Sequence, residues 1–146
     1  MTRWGLALVL LSGSALADES VPGPRVKVGT DRLELAAPIY FDTAKATIKA
    51  QSLPLLDEVA QALDKNPRIQ LLEVGVHSDE RGAEEFNLRI TGERAQAIKT
   101  YLVGKGVAND RIEARGYGES KPLCSEHNEA CWSRNRRTEL LIVRSK

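Results

Sequence analysis

Short strand-like runs alternate with two helical repeats along this sequence, and this order limits the folds that the chain can adopt. One helical repeat follows Ser52, a favourable N-cap, and stops at Asn66-Pro67, whereas the other extends from about Ala83 to Val103 and stops at Gly104. The strand-like runs lie at 38–41, 69–76, 111–117 and 138–143. The order β-α-β-α-β-loop-β predicts an α/β fold (an α+β sandwich of βαβαββ type), with helices packed on one mixed four-stranded sheet.

The first 17 residues have the pattern of a secretory signal peptide. Arg3 supplies a positive charge, residues 5–11 are apolar, and Ala15-Leu16-Ala17 is a small-x-small cleavage site. We therefore expect export to the periplasm with cleavage after Ala17, and we expect no lipid-modified N-terminus because no cysteine lies near that site. The apolar run at 5–11 is too short to span a bilayer, and we expect no transmembrane helix elsewhere in the sequence.

The segment 18–35 is predicted to be a flexible N-terminal lead, because Pro22-Gly23-Pro24 cannot form a helix. Two alternating runs within it, Val26-Lys27-Val28 and Leu33-Glu34-Leu35, fit edge strands. The folded domain is predicted to occupy residues 36–146.

Charge balance and the lack of catalytic motifs restrict the classes of function. The formal net charge is +1, so the chain lacks the basic excess of a nucleic-acid binder. We expect no nucleic-acid partner, even though Trp132 lies near the basic run 134–137. Because the sequence contains no G-x-S-x-G elbow and no phosphate-binding loop, we expect a protein that is not an enzyme and uses no cofactor.

Both cysteines, Cys124 and Cys131, lie in the exported part of the chain. An oxidising compartment favours a disulfide between them, and two free thiols are the alternative. Their C-x6-C spacing lacks the close ligand pairs of zinc sites and the C-x-x-C of redox enzymes, so we expect no metal. The predicted bridge would close a local loop.

Asp79 and Arg94 are the two charged residues that we consider the best candidates for ligand binding. Asp79 follows a predicted strand at the rim of the sheet, and Arg94 lies in the next helix. If the strand-loop-helix reversal brings them to one cleft, the carboxylate can take an ammonium group and the guanidinium can take a carboxylate. The alternative is an internal Asp79–Arg94 salt bridge, and the spacing of the two residues alone favours this alternative. His77 is expected to be a strand-end histidine bonded to the backbone.

Several segments resemble, in order, the motifs of the OmpA-like domain, most closely the version in peptidoglycan-associated lipoproteins. HSDERGAEEFN (77–87) resembles the (H/N)TDERG-x-x-E-(Y/F)-N signature, and the stretch beginning NLRITGERA (87–95) resembles the helix that follows it. RIEARGYGESKP (111–122) resembles the third strand and its turn. HNEACWSRNRRTELLI (127–142) resembles the closing H-x-E-x-x-(W/Y)-x-x-NRR motif, and IYFD (39–42) matches the first strand.

This resemblance implies non-covalent binding of peptidoglycan through the meso-diaminopimelate of its peptide stem, with a role in organising the cell envelope. The outer end of that group carries an ammonium and a carboxylate. Asp79 would receive the ammonium, and Arg94 would clamp the carboxylate. The other implied ligand-binding residues are Asn87, which would brace the loop or touch the peptide, Phe41 and Asp42, which would line the cleft, and Arg136, which would favour anionic groups.

Three positions depart from the pattern of the family. Val76 stands where a glycine is usual and can narrow the cleft, Ser78 replaces a threonine, and Gly92 lies inside the second helix. The alternative interpretation is a periplasmic protein–protein interaction module that keeps the fold but has a degenerate wall-binding site. Such a module would be held by an envelope protein, for which the lead at 18–35 is the candidate contact.

Overall fold

The computed structural model describes residues 23–144, so the predicted signal peptide and the start of the lead lie outside the described residues. Short 3-10 turns at Ala50–Ser52 and Asn109–Arg111 precede the first helix and the fourth strand. The described residues form, in chain order, β1 (Val26–Val28), β2 (Arg32–Leu35), α1 (Leu53–Lys65), β3 (Leu71–His77), α2 (Glu84–Gly104), β4 (Ile112–Gly118), α3 (Glu129–Asn135) and β5 (Arg137–Val143).

All five strands of the described range join one mixed sheet, in the order β1-β2-β5-β3-β4. β3 runs parallel to β4 and antiparallel to β5, with which it pairs from Leu71 to His77. β2 is antiparallel to both β1 and β5. The strand that comes last along the described chain therefore lies in the middle of the sheet.

The predicted α/β class is confirmed, but the sheet has five strands within the described residues where four were predicted. The two additional strands, β1 and β2, come from the alternating runs of the lead, so the sheet extends N-terminal to residue 36. Arg25, just before β1, ties this segment to α1, because its backbone N–H and its Nε both donate to the Glu58 carboxylate, at 2.9 and 2.7 Å.

The strand predicted at 38–41 does not join the sheet. Pro38 has no N–H to donate to a neighbouring strand, and Tyr40 donates its N–H to Ser52 Oγ at 2.8 Å. Neither residue therefore has an N–H available for pairing with a strand of the sheet. Phe41 makes an isolated bridge within its own turn. Ser52 was predicted to cap the helix, but its hydroxyl holds this segment and makes no capping hydrogen bond.

α1 and α2 form the core with the sheet, and the two helices predicted from the helical repeats are confirmed. α1 begins with Pro54 in its first turn, where a missing N–H costs nothing. The buried apolar residues of the two helices are Leu55, Leu56, Val59, Ala60 and Leu63 of α1, and Ile90, Ala95, Ile98 and Leu102 of α2. Among the helices of the described part, none combines the length and the apolar composition that a membrane span requires.

α2 lies very close to β4 where two glycines meet. A methyl group on Gly116 of β4 would lie 2.1 Å from the nitrogen and 2.5 Å from the Cα of Gly92 in α2. Thr91 adds a polar link, because its Oγ1 accepts the Gly118 N–H at 2.9 Å and donates to the Asn87 carbonyl at 2.8 Å. This contact fixes the start of α2 against the rim of the sheet and so positions the loop before it.

Candidate ligand-binding site

Asp79 lies in the loop that joins β3 to α2, at the rim of the sheet. β3 ends at His77, and Ser78 then donates its N–H to the Gly118 carbonyl at 2.9 Å, which holds the loop against β4. The loop leads into α2 through Gly82, whose φ of +88° favours glycine. Asp79 is only 6% exposed.

Two arginines neutralise the Asp79 carboxylate. Arg81 donates its backbone N–H to Oδ1 at 2.9 Å, and its guanidinium donates to Oδ1 at 3.1 Å and to Oδ2 at 2.9 Å. Arg136, which follows α3, donates from Nη1 to Oδ2 at 2.9 Å. Burial raises the pKa of Asp79, but the hydrogen bonds from the two arginines outweigh it and lower the pKa to about 2. Asp79 therefore remains ionised far below neutral pH.

Asn87, in the first turn of α2, braces the same loop from inside the protein. Its Nδ2 donates to the Arg81 carbonyl at 3.0 Å and, at 3.4 Å, to the Asp79 carbonyl. Asn87 is buried, so its amide serves the loop backbone. Contact between Asn87 and a ligand stays a prediction.

Arg94 lies further along α2 and contacts a different segment. Its Nε donates to the Lys45 carbonyl at 2.9 Å, its Nη2 donates to the Asp42 carbonyl at 3.3 Å, and its Cζ lies 4.9 Å from the centre of the Phe41 ring. Within residues 23–144 no carboxylate forms an ion pair with Arg94, so the Asp79–Arg94 salt bridge left open by the sequence is absent. Burial lowers the pKa of Arg94, which is thus a half-buried cation without a counter-ion in this range.

The segment that Arg94 holds is a tight turn. Asp42 donates its N–H to the Thr47 carbonyl at 2.9 Å, and Lys45 donates its N–H to the Asp42 carbonyl at 3.1 Å. Ala44 adopts a left-handed φ of +56°, a conformation that costs an L-residue about 1–2 kcal/mol. Because Arg94 binds two carbonyls of this turn, it supports the strained backbone directly.

The six predicted site residues thus form two groups that lie about two helical turns apart along α2. Asn87 and Arg94 are seven residues apart, which is two helical turns and about 10 Å along the axis, so both project from one side of the helix. Asp79 adjoins this side through the Asn87 amide, which donates to its carbonyl at 3.4 Å, and its carboxylate pairs with arginines other than Arg94. The groups are Asp79, Asn87 and Arg136 at the loop, and Phe41, Asp42 and Arg94 at the turn.

Four residues outside the predicted set, in the loop or on α3, complete the surroundings of Asp79. The Arg81 guanidinium carbon lies 4.3 Å from the centre of the Trp132 ring, and Trp132 Nε1 donates to Glu80 Oε1 at 3.0 Å. Glu129 pairs with Arg136 and lies 4.0 Å from Arg81. Arg81 and Trp132 belong to the DERG and NRR motifs, so the resemblance contained them, but it did not reveal their mutual contact.

Helix α3, which carries Trp132, occupies a stretch that was predicted to be a loop. It has no apolar repeat, because only Cys131 and Asn135 of its seven residues are buried. One local signal marks its start: Asn128 is a favourable N-cap, and its Oδ1 accepts the Cys131 N–H at 2.9 Å. The helix is therefore defined by its cap and by contacts that the sequence pattern does not show.

The predicted disulfide between Cys124 and Cys131 is confirmed, with their Cα atoms 5.8 Å apart. Together with Glu126, these cysteines form a cluster of the kind that can bind a metal. The disulfide removes both thiolates, and the thiolate is the species that coordinates metals. This cluster is therefore a covalent link between the loop and α3.

His77 is buried at the end of β3 and differs from the expectation. It is 4% exposed and stacks on Tyr117 at a centroid distance of 4.8 Å. Among the described residues neither ring nitrogen has a hydrogen-bond partner, so the expected backbone hydrogen bond was wrong. Burial, followed by the charge of Arg137, lowers the pKa of His77 to about 4. Val76 belongs to the hydrophobic core, where it packs with the apolar residues of the helices.

Comparison with known proteins identifies relatives of the chain. A profile described as the OmpA family matches residues 40–136. The chain is 41% identical to the peptidoglycan-associated lipoprotein of Rhizobium meliloti (strain 1021) over 104 residues, which are 71% of this chain and 58% of that protein. It is 39% identical to the peptidoglycan-associated lipoprotein of Haemophilus influenzae over 102 residues, 70% of this chain and 66% of that protein. The chain therefore spans less than two thirds of the length of these relatives.

Solved structures with the same fold agree with this result. The crystal structure of the peptidoglycan-associated lipoprotein from Burkholderia pseudomallei is 35% identical, with a TM-score of 0.64 over 73% of this chain and 91% of that chain. The cell wall anchor of the T6SS from Pseudomonas aeruginosa is 27% identical, with a TM-score of 0.65 over 80% of this chain and 85% of that chain. The family profile covers well over half of the sequence, and the chain belongs to the OmpA family.

Proposed function

We propose that this chain binds peptidoglycan non-covalently, through the meso-diaminopimelate of the peptide stem, and so contributes to the organisation of the cell envelope. One observation carries the proposal. Arg94 is a half-buried cation without a carboxylate partner in the described range, and the ionised Asp79 adjoins the same side of α2 through its contact with Asn87. Relatives named peptidoglycan-associated lipoproteins support the same ligand.

In this proposal Arg94 receives the ligand carboxylate. A partly buried guanidinium without a counter-ion gains most from an incoming anion, and its planar donors match a carboxylate. Because Arg94 also holds the turn, Phe41 and Asp42 line the cleft beside the bound anion. Asn87 keeps the neighbouring loop in place.

The ammonium binds Asp79, and this step requires a rearrangement. Arg81 and Arg136 together donate four hydrogen bonds to the carboxylate, so an ammonium must displace one of them. The Arg81 side chain is 52% exposed and already touches Trp132 and Glu129, which offer it other contacts. Arg81 is therefore the side chain that moves, and Arg136 stays to favour anionic groups of the ligand.

In the proposed function the protein binds peptidoglycan without catalysis, so the peptide stem is chemically unchanged when it dissociates. Its proposed location is the periplasm, in association with the wall or the outer membrane, after cleavage behind Ala17. N-terminal sequencing of the exported protein tests this cleavage, and Asp18 should be the first residue. A different first residue would contradict the predicted cleavage site.

Co-sedimentation with purified diaminopimelate-type peptidoglycan tests the ligand. The wild-type protein should pellet with the wall, and Asp79→Asn and Arg94→Ala should each weaken binding by about tenfold or more, because each removes a charge-assisted contact. Arg68→Ala is the matched control, since Arg68 is an exposed arginine remote from both groups of site residues. Circular dichroism of every variant checks the fold. A folded wild-type protein that stays in the supernatant would refute the proposal.

A second candidate function is a periplasmic protein–protein interaction module. The pairing of Asp79 with two arginines favours it, because a neutralised carboxylate is a weaker acceptor for a ligand. The partner would be an envelope protein that contacts the lead at 18–35, where β1 forms the outer edge of the sheet. Sedimentation without any other protein separates the two functions, since only wall binding pellets the chain alone.

A further inference from the structure

Helix α3 supports the loop that carries Asp79. Arg136, the residue after α3, donates to the Asp79 carboxylate at 2.9 Å. Trp132 donates to the Glu80 carboxylate at 3.0 Å, and its ring lies 4.3 Å from the guanidinium carbon of Arg81. Each of three consecutive loop residues therefore contacts a side chain that α3 positions.

α3 has few interactions that stabilise it as a helix. It contains seven residues, whereas isolated helices shorter than about 12 residues are unstable in water. Its two buried side chains both anchor it to the preceding segment. Cys131 is bonded to Cys124, and Asn135 donates to the Cys124 carbonyl at 3.2 Å and accepts the Leu123 N–H at 2.7 Å. The disulfide is the covalent member of these anchors.

We propose that the Cys124–Cys131 disulfide is a redox control of ligand binding at the Asp79 loop. This inference rests on the proposed function. In the oxidised protein the bond holds α3 in place, so that Trp132 and Arg136 fix the loop. In the reduced protein α3 frays, the two side chains leave the loop, and ligand binding weakens.

The control step is a thiol–disulfide exchange with an external dithiol. A thiolate of the dithiol attacks Cys124 Sγ, the S–S bond breaks, and Cys131 leaves as a thiolate that takes up a proton. The second thiol of the reductant then resolves the mixed disulfide, so the dithiol becomes a disulfide and the protein gains two thiols. Cys124 is the more accessible of the two cysteines, because it is half-buried and lines a surface pocket of about 300 Å³, whereas Cys131 is buried.

The test measures peptidoglycan binding by three forms of the exported protein. These are the oxidised protein, the protein reduced with dithiothreitol, and the double variant Cys124→Ser, Cys131→Ser. The reduced protein and the double variant should bind about tenfold or more weakly than the oxidised protein. Amide hydrogen exchange should become faster in 128–136 and stay unchanged in α2. Dithiothreitol should not change binding by the double variant, which controls for other effects of the reductant.

Three outcomes would count against this control. Equal binding by the oxidised and reduced proteins would overturn it and leave the proposed function intact. Faster exchange in 128–136 with unchanged binding would also overturn it, because α3 would then be dispensable for the site. If the oxidised and folded protein does not bind the wall, the proposed function fails and the redox control fails with it.

Discussion

The contact between α2 and β4 predicts opposite effects for the same substitution at two touching glycines. Gly116→Ala places a methyl carbon 2.1 Å from the Gly92 nitrogen and 2.5 Å from its Cα, and both are backbone atoms that no rotamer change can move. Non-bonded carbon atoms need about 3.5 Å, so α2 would have to retreat by roughly 1 Å or more. Overpacking by a methyl group costs about 1–3 kcal/mol, and a backbone obstacle places the expected loss near 3 kcal/mol.

Gly92→Ala provides the matched comparison, because it adds the same methyl group on the other side of the contact. Apart from its chain neighbours and the nearby backbone of its own helix, that methyl group would have no atom within 4 Å. Alanine is favoured over glycine inside a helix by about 1 kcal/mol, so this variant should be more stable than the wild type by up to that amount. Glycine is therefore required at position 116, whereas at position 92 it lowers the free energy of unfolding relative to alanine.

Urea unfolding followed by circular dichroism measures both effects. The transition midpoint should fall for Gly116→Ala and rise for Gly92→Ala, with the slope m unchanged in both variants. A Gly116→Ala protein within 1 kcal/mol of the wild type would refute the close approach of α2 and β4, at the scale set by overpacking costs of about 1–3 kcal/mol. A destabilised Gly92→Ala protein would show that position 92 faces packed atoms.

Two further predictions concern a buried histidine and a strained alanine. The pKa of His77 is about 4 in the folded protein, below its ordinary 6.5, so the unfolded chain binds more protons between these values. The contribution of His77 to the free energy of unfolding should be constant above pH 6.5. It should fall by about 3 kcal/mol as the pH drops to 4. His77→Phe should flatten this dependence in urea titrations, and an unchanged slope would contradict the prediction. Ala44→Gly removes the cost of a left-handed φ of +56° and should stabilise the protein by up to about 1 kcal/mol. A lower melting temperature of this variant would show that Ala44 is not strained.

The long helices could be predicted because their information is local. Ala95, Ile98 and Leu102 repeat at helical spacing, and all three are fully buried. Membership in the sheet is not local: the run 38–41 has strand-like residues, but β2 takes the place beside β5 through pairs such as Leu33 with Leu140. A pattern of apolar residues indicates that a segment forms a strand, but it does not determine which strand pairs with it.

The site was predictable in its residue types and less so in its contacts. The boundary of β3 correctly placed Asp79 at the rim of the sheet. Its partners are Arg81 and Arg136 instead of Arg94, because α3 brings Arg136 to the loop from 57 residues away. The position of α3 depends in turn on a cap and a disulfide, neither of which produces a periodic pattern.

The central place of β5 determines the order in which the sheet can be completed. β1 and β2 have no direct contact with β3 and β4 in the sheet, because β5 separates the two pairs. A chain that emerges from its N-terminus therefore holds two unjoined halves of a sheet, each with an open edge, until residues 137–143 arrive. The edges of β2 and β3 that face each other across the central position therefore stay uncovered until β5 pairs with both of them.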